Sequence, residues 1–434
     1  MASQDPCPSI AYVYDDDAER RFAVTMGTGS ISLLFYAFPY GHDSEATNIM
    51  SLVFFFLNLA LFTLFTVISI ARYVIFPGVW STMLSHPVQS LYTGTFPMGA
   101  TTLFNIAVNL INQRYHFGGK GFLYTIWVVW WLDVAISIIC CWGMLHVMQT
   151  THNHSLERMT AAWLLPVVTL IVASSSGGVL APALHAHNPS YALLTETFSM
   201  FMVTIGLALA LMLLTVYLMR LIIHGLPPGA TIISVFLPLG PTGQAGYSIL
   251  LGGQYFKSVL PLGYGSSEVL NSRTAGENVN VICVCVAFVL WSLASMWFIF
   301  ALMGVQHVLR RSRIPFKVPF WGLIFPNGVY ANLTISLGNT FDSPFFHIWG
   351  SIYAGMTLLL WTLVAIRTVI MVYTTEIFEA PCLEDVDLGR ITPVNGNAAP
   401  VAPFPRSLKE RATPTRWDGR DASTSRSRET FPNL

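Results

Sequence analysis

The sequence predicts an all-α integral membrane protein with ten transmembrane helices. Hydrophobic residues make up 53% of its 434 residues and charged residues only 10%, against about 25% charged in an average soluble domain. So little charge cannot cover the surface of a water-soluble fold of this size, and lipid is therefore the expected solvent. The net charge is zero, so no bulk field attracts nucleic acid and no nucleic-acid partner is expected.

Ten apolar segments follow one another along the chain, each close to the roughly 20 residues that cross a bilayer core as a helix. We place them near 22–38, 47–72, 88–111, 122–148, 160–183, 191–223, 230–253, 279–309, 318–341 and 345–375. Together they define a transmembrane domain over 22–375, preceded by a short segment of 1–21. The tail of 376–434 is rich in Pro, Ser, Arg and Asn and lacks apolar periodicity, which is typical of disorder.

Lysine and arginine are shared unequally between the two sets of loops, and this asymmetry predicts the orientation of the helices. The side of the N-terminus holds Arg20, Arg21, Arg72, Arg158, Arg220, Arg310, Arg311, Arg313 and Lys317. The opposite side holds Arg114, Lys120, Lys257 and Arg273. Because the cytoplasmic side carries the excess, both termini are predicted to be cytoplasmic, which agrees with an even number of spans.

The odd-numbered segments carry prolines, glycines and small hydroxyl residues, whereas the even-numbered ones are mostly continuous apolar runs. The clusters are Gly27-Thr28-Gly29-Ser30, Gly94-Thr95-Phe96-Pro97-Met98-Gly99, Ser174-Ser175-Ser176-Gly177-Gly178, Pro238-Leu239-Gly240-Pro241-Thr242-Gly243-Gln244 and Phe325-Pro326-Asn327-Gly328. Their recurrence every roughly seventy to eighty residues indicates five repeated helical hairpins. Proline frees backbone carbonyl groups, which a bilayer tolerates only inside protein or beside a watery cavity. We therefore expect five kinked helices around a central pore, with close helix packing through small residues as the alternative explanation.

The central parts of these odd-numbered segments contain no Asp, Glu, Lys, Arg or His. Cation pathways usually contain carboxylates within the membrane, so a lining of hydroxyl groups, amides and helix dipoles favours a small anion instead. The residues expected to line the pore are Gly27, Thr28, Gly29, Ser30, Thr95, Phe96, Pro97, Ser174, Ser175, Ser176, Gly240, Pro241, Gln244, Pro326 and Asn327.

Apart from Arg72 and Arg220 near segment ends, three charged residues fall within the even-numbered segments. Asp133 lies deepest and is a candidate proton site, or alternatively a structural anchor between helices. Glu196 and Arg367 lie nearer to helix ends, where we expect them to extend towards the interface or to be paired.

No metal site, cofactor or enzymatic activity is expected. The histidine pairs His152/His154 and His185/His187 fall in loops on opposite membrane faces, and Cys283 and Cys285 have no partner pair in their apolar segment. The serines of the inner segments have no histidine at a comparable depth in their own helices, so the parts of a serine hydrolase are missing.

Several of these motifs resemble one known family. They are the segments His86 to Gly99, Trp163-Leu164-Leu165-Pro166 leading to Gly178, Leu237 to Gly246, Thr25 to Gly29, and Trp130-Trp131-Leu132-Asp133. They are similar to fungal sulfite efflux pumps, although Thr242 and Ala245 replace the usual Leu and Gly. These pumps belong to the tellurite-resistance/dicarboxylate transporters, together with malic acid permeases and plant slow anion channels.

The resemblance implies ten helices in a quasi-five-fold arrangement, with the odd-numbered ones lining a central pore. It also implies a homotrimer, with a dimer as the alternative, and a phenylalanine of the ninth helix that closes the pore. The matching position is Phe325.

We therefore expect a multi-pass plasma-membrane protein that exports sulfite or bisulfite. Malate or another C4-dicarboxylate, moved with or without protons, is the alternative within the same fold, although a dicarboxylate more naturally calls for a basic group in the pore. A channel regulated by its tail is a further alternative, because Ser425 and Ser427 flank Arg426 in a basic stretch.

Overall fold

A computed structural model of the chain describes residues 21–41, 44–227, 229–262, 266–311, 314 and 316–374, and these residues contain helices but no strand. Ten helices, labelled α1 to α10, are Phe22–Ala37, Glu45–Ile75, Thr95–Ile106, Gly119–Thr150, Leu165–His185, Pro189–His224, Leu239–Val259, Ala275–Leu309, Ile324–Phe341 and Pro344–Tyr373. Two shorter helices, Pro77–Ser85 and Glu268–Asn271, lie in connections. The predicted tail of 376–434, with Ser425 and Ser427, and residues 1–20 lie outside the described residues.

Six of the described helices are long and apolar enough to cross a membrane. They are the five even-numbered helices and α5 with the turn before it, over Ala161–His185, whereas α1 is apolar but shorter. The six differ sharply in burial, because the apolar window of α5 is 100% buried and those of the even-numbered helices are 11–33% buried. The even-numbered helices thus leave large apolar side chains exposed, such as Ile222 and Val74, which suits contact with lipid rather than with water.

Contacts between the odd-numbered helices form a closed ring. Helix α1 contacts α3, α3 contacts α5, α5 contacts α7, α7 contacts α9, and α9 returns to α1. Each even-numbered helix packs on the odd-numbered helix before it and on the next one in the ring. The described helices therefore form an inner layer of five and an outer layer of five.

Glycine allows close approach at every junction of the ring. A β-carbon at Gly99 would lie 2.6 Å from Thr25 Oγ1, and one at Gly94 would lie 2.9 Å from the Leu165 carbonyl oxygen. The other junctions depend in the same way on Gly178 against Leu251, Gly243 against Tyr330, and Gly27 against Ile324. Small residues therefore serve helix packing here, the alternative that the sequence left open.

Four prolines of the predicted motifs mark the starts of odd-numbered helices instead of mid-helix kinks, whereas Pro182 lies inside α5. Pro97, Pro166, Pro241 and Pro326 all lie in the first turn of their α-helices, where the missing N–H costs little. A 3₁₀ turn precedes each of these helices, over Gln89–Gly94, Ala161–Leu164, Gly229–Phe236 and Val318–Leu323. The expected kinks at these prolines were therefore wrong, because the hydrogen-bond pattern changes from 3₁₀ to α just before each proline.

Candidate functional site

The ring of inner helices leaves free space beside Gly240. This residue is buried at the start of α7, yet a β-carbon there would meet only Pro326 Cγ, at 4.0 Å. Among the described buried glycines, it has the most free space around its α-carbon. Pro326 belongs to the first turn of α9, so room is left between α7 and α9 at the level where both α-helices begin.

Phe325 precedes Pro326 in the first turn of α9 and is 4% exposed. The turn that carries it is tied to the outer helix α10, because the Tyr353 hydroxyl group donates to Asn327 Oδ1 at 2.6 Å. Asn327 Nδ2 in turn donates to the Leu323 carbonyl oxygen at 2.6 Å. The amide of Asn327 is thus used to anchor the start of α9, and its predicted place in the pore lining stays a prediction.

Gln244 lies one turn after Gly240 and therefore on the same face of α7. Its Nε2 donates to Ser175 Oγ, which links α7 to α5. The Ser175 hydroxyl group donates to the Val172 carbonyl oxygen at 2.8 Å. Among the described residues Gln244 makes no other hydrogen bond, so its side chain keeps one N–H for an acceptor in the ring.

Most of the other hydroxyl groups predicted to line the pore donate hydrogen bonds to backbone carbonyl groups. Ser30 donates to Gly27 at 2.8 Å, Thr95 to Tyr92 at 2.6 Å, and Ser176 to Val172 at 3.4 Å. Ser174 donates to the Ser199 carbonyl oxygen on α6 at 2.6 Å, and its hydroxyl group lies 2.6 Å from Ser248 Oγ. An anion would find few unused donors here, which fits weak binding and easy release.

Three further predicted residues contact the outer helices. Thr28 Oγ1 accepts a hydrogen bond from Trp361 Nε1 at 3.1 Å, and a β-carbon at Gly29 would run into Thr102 and the Asn58 amide. The Phe96 ring stacks on Phe62, with ring centroids 5.3 Å apart. Their assignment to the pore lining likewise stays a prediction.

Asp133 faces the inner helix α5 from α4. It is 4% exposed, and on the same face of α4 Trp130 Nε1 donates to the Ala173 carbonyl oxygen at 3.0 Å. One turn later, the Ser137 carbonyl oxygen accepts from Thr169 Oγ1 at 3.1 Å. Asp133 Oδ2 has no hydrogen-bond partner among the described residues. The hydrogen bonds of Trp130 and Ser137, and not one of Asp133 Oδ2, therefore connect α4 with α5 there.

Glu196 is the residue that the sequence analysis misjudged. It is 1% exposed and neither carboxyl oxygen has a hydrogen-bond partner in the described part of the chain, so the expectation of an interfacial or paired side chain was wrong. Arg367, in contrast, is exposed near the end of α10. No signal within α6 itself could have located Glu196, because the space around it is made by glycines of two other helices.

The histidine pairs make separate contacts. His152 Nε2 donates to the Leu84 carbonyl oxygen at 2.8 Å, and the His154 ring lies 4.7 Å from that of Trp163. Burial and the nearby His152 lower the pKa of His154. No group of three or more His, Cys, Asp or Glu side chains suited to a metal ion occurs among the described residues.

Comparison with known proteins identifies the family. Residues 20–369 match the profile of the SLAC1 family, described as voltage-dependent anion channels. The match covers most of the chain and all ten helices up to the last residues of α10. The chain belongs to the SLAC1 family.

Members of this family from fungi and archaea are similar over most of their length. A sulfite efflux pump of Trichophyton rubrum is 36% identical over 357 residues, which cover 82% of this chain and 91% of that protein. A malic acid transport protein of Schizosaccharomyces pombe is 24% identical over 79% of this chain and 75% of its own length. An uncharacterized transporter of Methanocaldococcus jannaschii is 28% identical over 82% of this chain and 95% of its own length. The resemblance inferred from the motifs is thus confirmed, and the chain is a multi-pass protein of a membrane anion-transport family.

Proposed function

We propose that this protein exports sulfite or bisulfite across the plasma membrane, through a pathway enclosed by the odd-numbered helices and closed by Phe325. The observation that carries the proposal is the chemistry of the ring. Over their described lengths, α1, α3, α5, α7 and α9 contain no Asp, Glu or Arg, and their only Lys is Lys257 in the last turn of α7. A small anion can pass such a lining without being trapped.

The proposed topology has ten spans, built as five hairpins in a quasi-five-fold arrangement. Four inner helices are shorter or less apolar than a lipid-facing span, namely α1, α3, α7 and α9. Because the outer helices separate them from lipid, they do not need the length or the hydropathy of such a span. The 3₁₀ turns also lengthen them. With its 3₁₀ turn and the π-helical segment Ala107–Arg114, the third span runs from 89 to 114.

The proposed orientation puts both termini and the starts of the odd-numbered helices in the cytoplasm. Successive odd-numbered helices are separated by one long returning helix, so all five run in the same direction. Their positive ends would then face the cytoplasm together, which favours the entry of anions from that side. An inside-negative potential of 100 mV drives a monovalent anion outward with about 2.3 kcal/mol, so export needs no fuel.

Phe325 is the proposed gate because of its position. It precedes Pro326, the residue that faces Gly240 across the space, and it lies on a turn that Asn327 and Tyr353 tie to α10. A ring held there closes the pathway, and a movement of the first turn of α9 would open it.

Malate or another C4-dicarboxylate is the second candidate, and the malic acid transport protein among the relatives favours it. Such a substrate carries two negative charges, and a cationic side chain in the ring would bind it better than uncharged groups do. The only lysine of the ring, Lys257, is exposed at a helix end, which favours the smaller anion.

Flux into proteoliposomes separates the two substrates. The purified full chain is offered sulfite and malate in turn under a fixed membrane potential. We expect sulfite flux that follows the potential and little malate flux. Malate flux that requires a proton gradient, with no sulfite flux, would overturn the assignment to sulfite.

Regulation by the tail and oligomeric state are separate proposals. A chain truncated near residue 380 should transport like the full chain if the tail is inert, and a changed open probability would favour a regulated channel. The resemblance to the family favours a homotrimer, with a dimer as the alternative, and the mass of the protein in detergent distinguishes them.

A further inference from the structure

Glu196 lies in a crevice between two helices of the ring. It belongs to the outer helix α6, seven residues after that helix begins at Pro189, or about 10 Å along its axis at about 1.5 Å per residue. A β-carbon at Gly252 of α7 would lie 2.8 Å from Glu196 Oε1, and one at Gly178 of α5 would lie 3.7 Å from Oε2. Two inner-helix glycines thus make the room that this carboxyl group occupies.

The crevice provides no compensating charge or hydrogen bond. Neither carboxyl oxygen has a hydrogen-bond partner within the described chain, and Lys257 points away as an exposed side chain at the end of α7. The titratable groups that face it are Tyr255 of α7 and Cys283 of α8, with His185 of α5 beyond Tyr255. None of them is a permanent cation.

An ionised carboxylate without a partner is strongly disfavoured in a dry interior. The group must therefore hold a proton, take up water or bind a cation. The Gly252 contact leaves less than a methyl group of room on that side of Oε1, which disfavours a hydrated cation there. A proton fits without any rearrangement.

A short route connects Glu196 with the membrane face at which α5 ends and α6 begins. His185 lies in the last turn of α5 and is partly exposed. Its Nδ1 is 3.3 Å from the Tyr255 hydroxyl oxygen, and Tyr255 lies three residues after Gly252, on the same face of α7. The Tyr255 hydroxyl group is not hydrogen-bonded to the carboxyl group in this structure, so a rotation of either side chain completes the route. Tyr255 then gives its proton to the carboxylate and takes another from His185, which takes one from water.

We propose that Glu196 is a proton-binding site, loaded through His185 and Tyr255, whose charge state controls how closely α5 packs on α7. The neutral acid allows the contact of Gly178 with Leu251 across these helices. The ionised group draws water into the crevice and separates the two helices. The hydrogen bond between Gln244 and Ser175 crosses the same interface, so ionisation also loosens the part of the ring that offers a donor to an anion.

The effect on transport rests on the proposed anion pathway, whereas the proton site does not. In the proposed orientation the route opens to the outside. Anion flux should then fall as the outer pH falls, because the protonated form keeps α5 and α7 together. Glu196→Gln imitates the protonated acid and should fix the flux at its low-pH value.

The first experiment measures the proton without any substrate. Infrared difference spectra of the purified full chain are recorded during titration over about pH 6 to 9, since buried carboxyl groups titrate as high as about pH 8 to 9. We expect a band of a protonated carboxyl group that is lost in Glu196→Gln and kept in Asp133→Asn. No such band, or a band that Glu196→Gln leaves unchanged, overturns the proton site whatever the protein transports.

The second experiment measures anion flux against the outer pH. Glu277→Gln is the matched control, because Glu277 is an exposed acid at the start of α8, on the same membrane face. We expect pH dependence in the wild type and in Glu277→Gln, and none in Glu196→Gln. Retained pH dependence in Glu196→Gln overturns the coupling.

Tyr255→Phe keeps the carboxyl group and removes the relay hydroxyl, so it serves if Glu196→Gln is not recovered folded. It should retain the infrared band and slow the response of that band to a pH jump. An unchanged rate overturns the route.

Discussion

Replacing Tyr353 by phenylalanine removes one hydroxyl group from α10 and leaves the ring of this side chain in place. That hydroxyl group donates to Asn327 Oδ1 at 2.6 Å, and both residues are buried, with 1% and 6% of their surfaces exposed. The change leaves Asn327 Oδ1 without a donor, which costs about 1–3 kcal/mol for a buried acceptor.

Under the proposed function, this cost falls on the conformation that closes the pathway. Asn327 fixes the first turn of α9 through Leu323, and that turn carries Phe325. In the open state the turn has moved, and Asn327 Oδ1 can accept a hydrogen bond from water or from another donor. The lost Tyr353 hydroxyl group then destabilises the closed state and not the open state. A penalty of about 1–3 kcal/mol then raises the ratio of open to closed protein by up to about 5- to 150-fold.

The assay is passive anion leak from proteoliposomes, with thermal unfolding measured on the same preparations. Trp130→Phe is the matched control, because it also removes a hydrogen bond from an outer helix to an inner one, to the Ala173 carbonyl oxygen at 3.0 Å, and it lies on α4, which packs on α3 and α5. We expect both variants to lose stability and only Tyr353→Phe to leak. Equal leak in the two variants, or none in Tyr353→Phe, would refute the link between Asn327 and the gate.

The remaining predictions concern the ring, the acid of α4 and the α4–α5 loop. Gly240→Val fills the space in front of Pro326 and should lower sulfite flux on the order of tenfold without loss of stability. Gly243→Ala is the comparison, because its methyl group would lie 3.2 Å from Tyr330 N, and it should lower the melting temperature by overpacking. Unchanged flux in Gly240→Val would contradict the assigned space. Asp133→Asn should leave both the sulfite flux and its pH dependence unchanged, and lost pH dependence would make this acid the proton site. The pKa of His154 is lowered from 6.5 in the folded protein, so its contribution to stability is complete above pH 6.5 and is lost as the pH falls from 6.5 towards the lowered value. His154→Gln should remove this part of the acid sensitivity of thermal unfolding, and an unchanged pH profile would speak against it.

The outer helices could be predicted closely from the sequence. The expected spans 47–72 and 191–223 correspond to Glu45–Ile75 and Pro189–His224. Long apolar runs determine these helices almost alone, because contact with lipid tolerates few polar residues. The Lys and Arg asymmetry and the alternation of two kinds of segment were also readable without a structure.

The starts of the inner helices could not be predicted in the same way. A proline stands equally well in a first turn or at a kink, and the sequence around Pro326 does not tell these apart. The structure places α9 from Ile324, after the 3₁₀ turn Val318–Leu323. No charged residue separates the 3₁₀ turn from α9 between Val318 and Phe325, so hydropathy does not mark the boundary.

The polar contacts of the site could not be predicted from the sequence for a different reason. Thr28 meets Trp361 and Asn327 meets Tyr353 across long stretches of chain, and a single sequence gives no information on such pairs. Glu196 is the clearest case, because its crevice exists only when Gly178 and Gly252 are brought together. Composition could show that the ring is uncharged, but not which of its groups point inward.

The central claim is a ring of uncharged helices that conducts sulfite and is closed by Phe325. The most direct test is sulfite flux in proteoliposomes under a set potential, for the wild type, Phe325→Ala and Phe55→Ala. Phe55 is a buried phenylalanine of the outer helix α2, 6% exposed, so its loss leaves a similar cavity on an outer helix. The account predicts flux that follows the potential in all three and a strong increase in Phe325→Ala alone. Unchanged flux in Phe325→Ala, or an equal increase in Phe55→Ala, would contradict it.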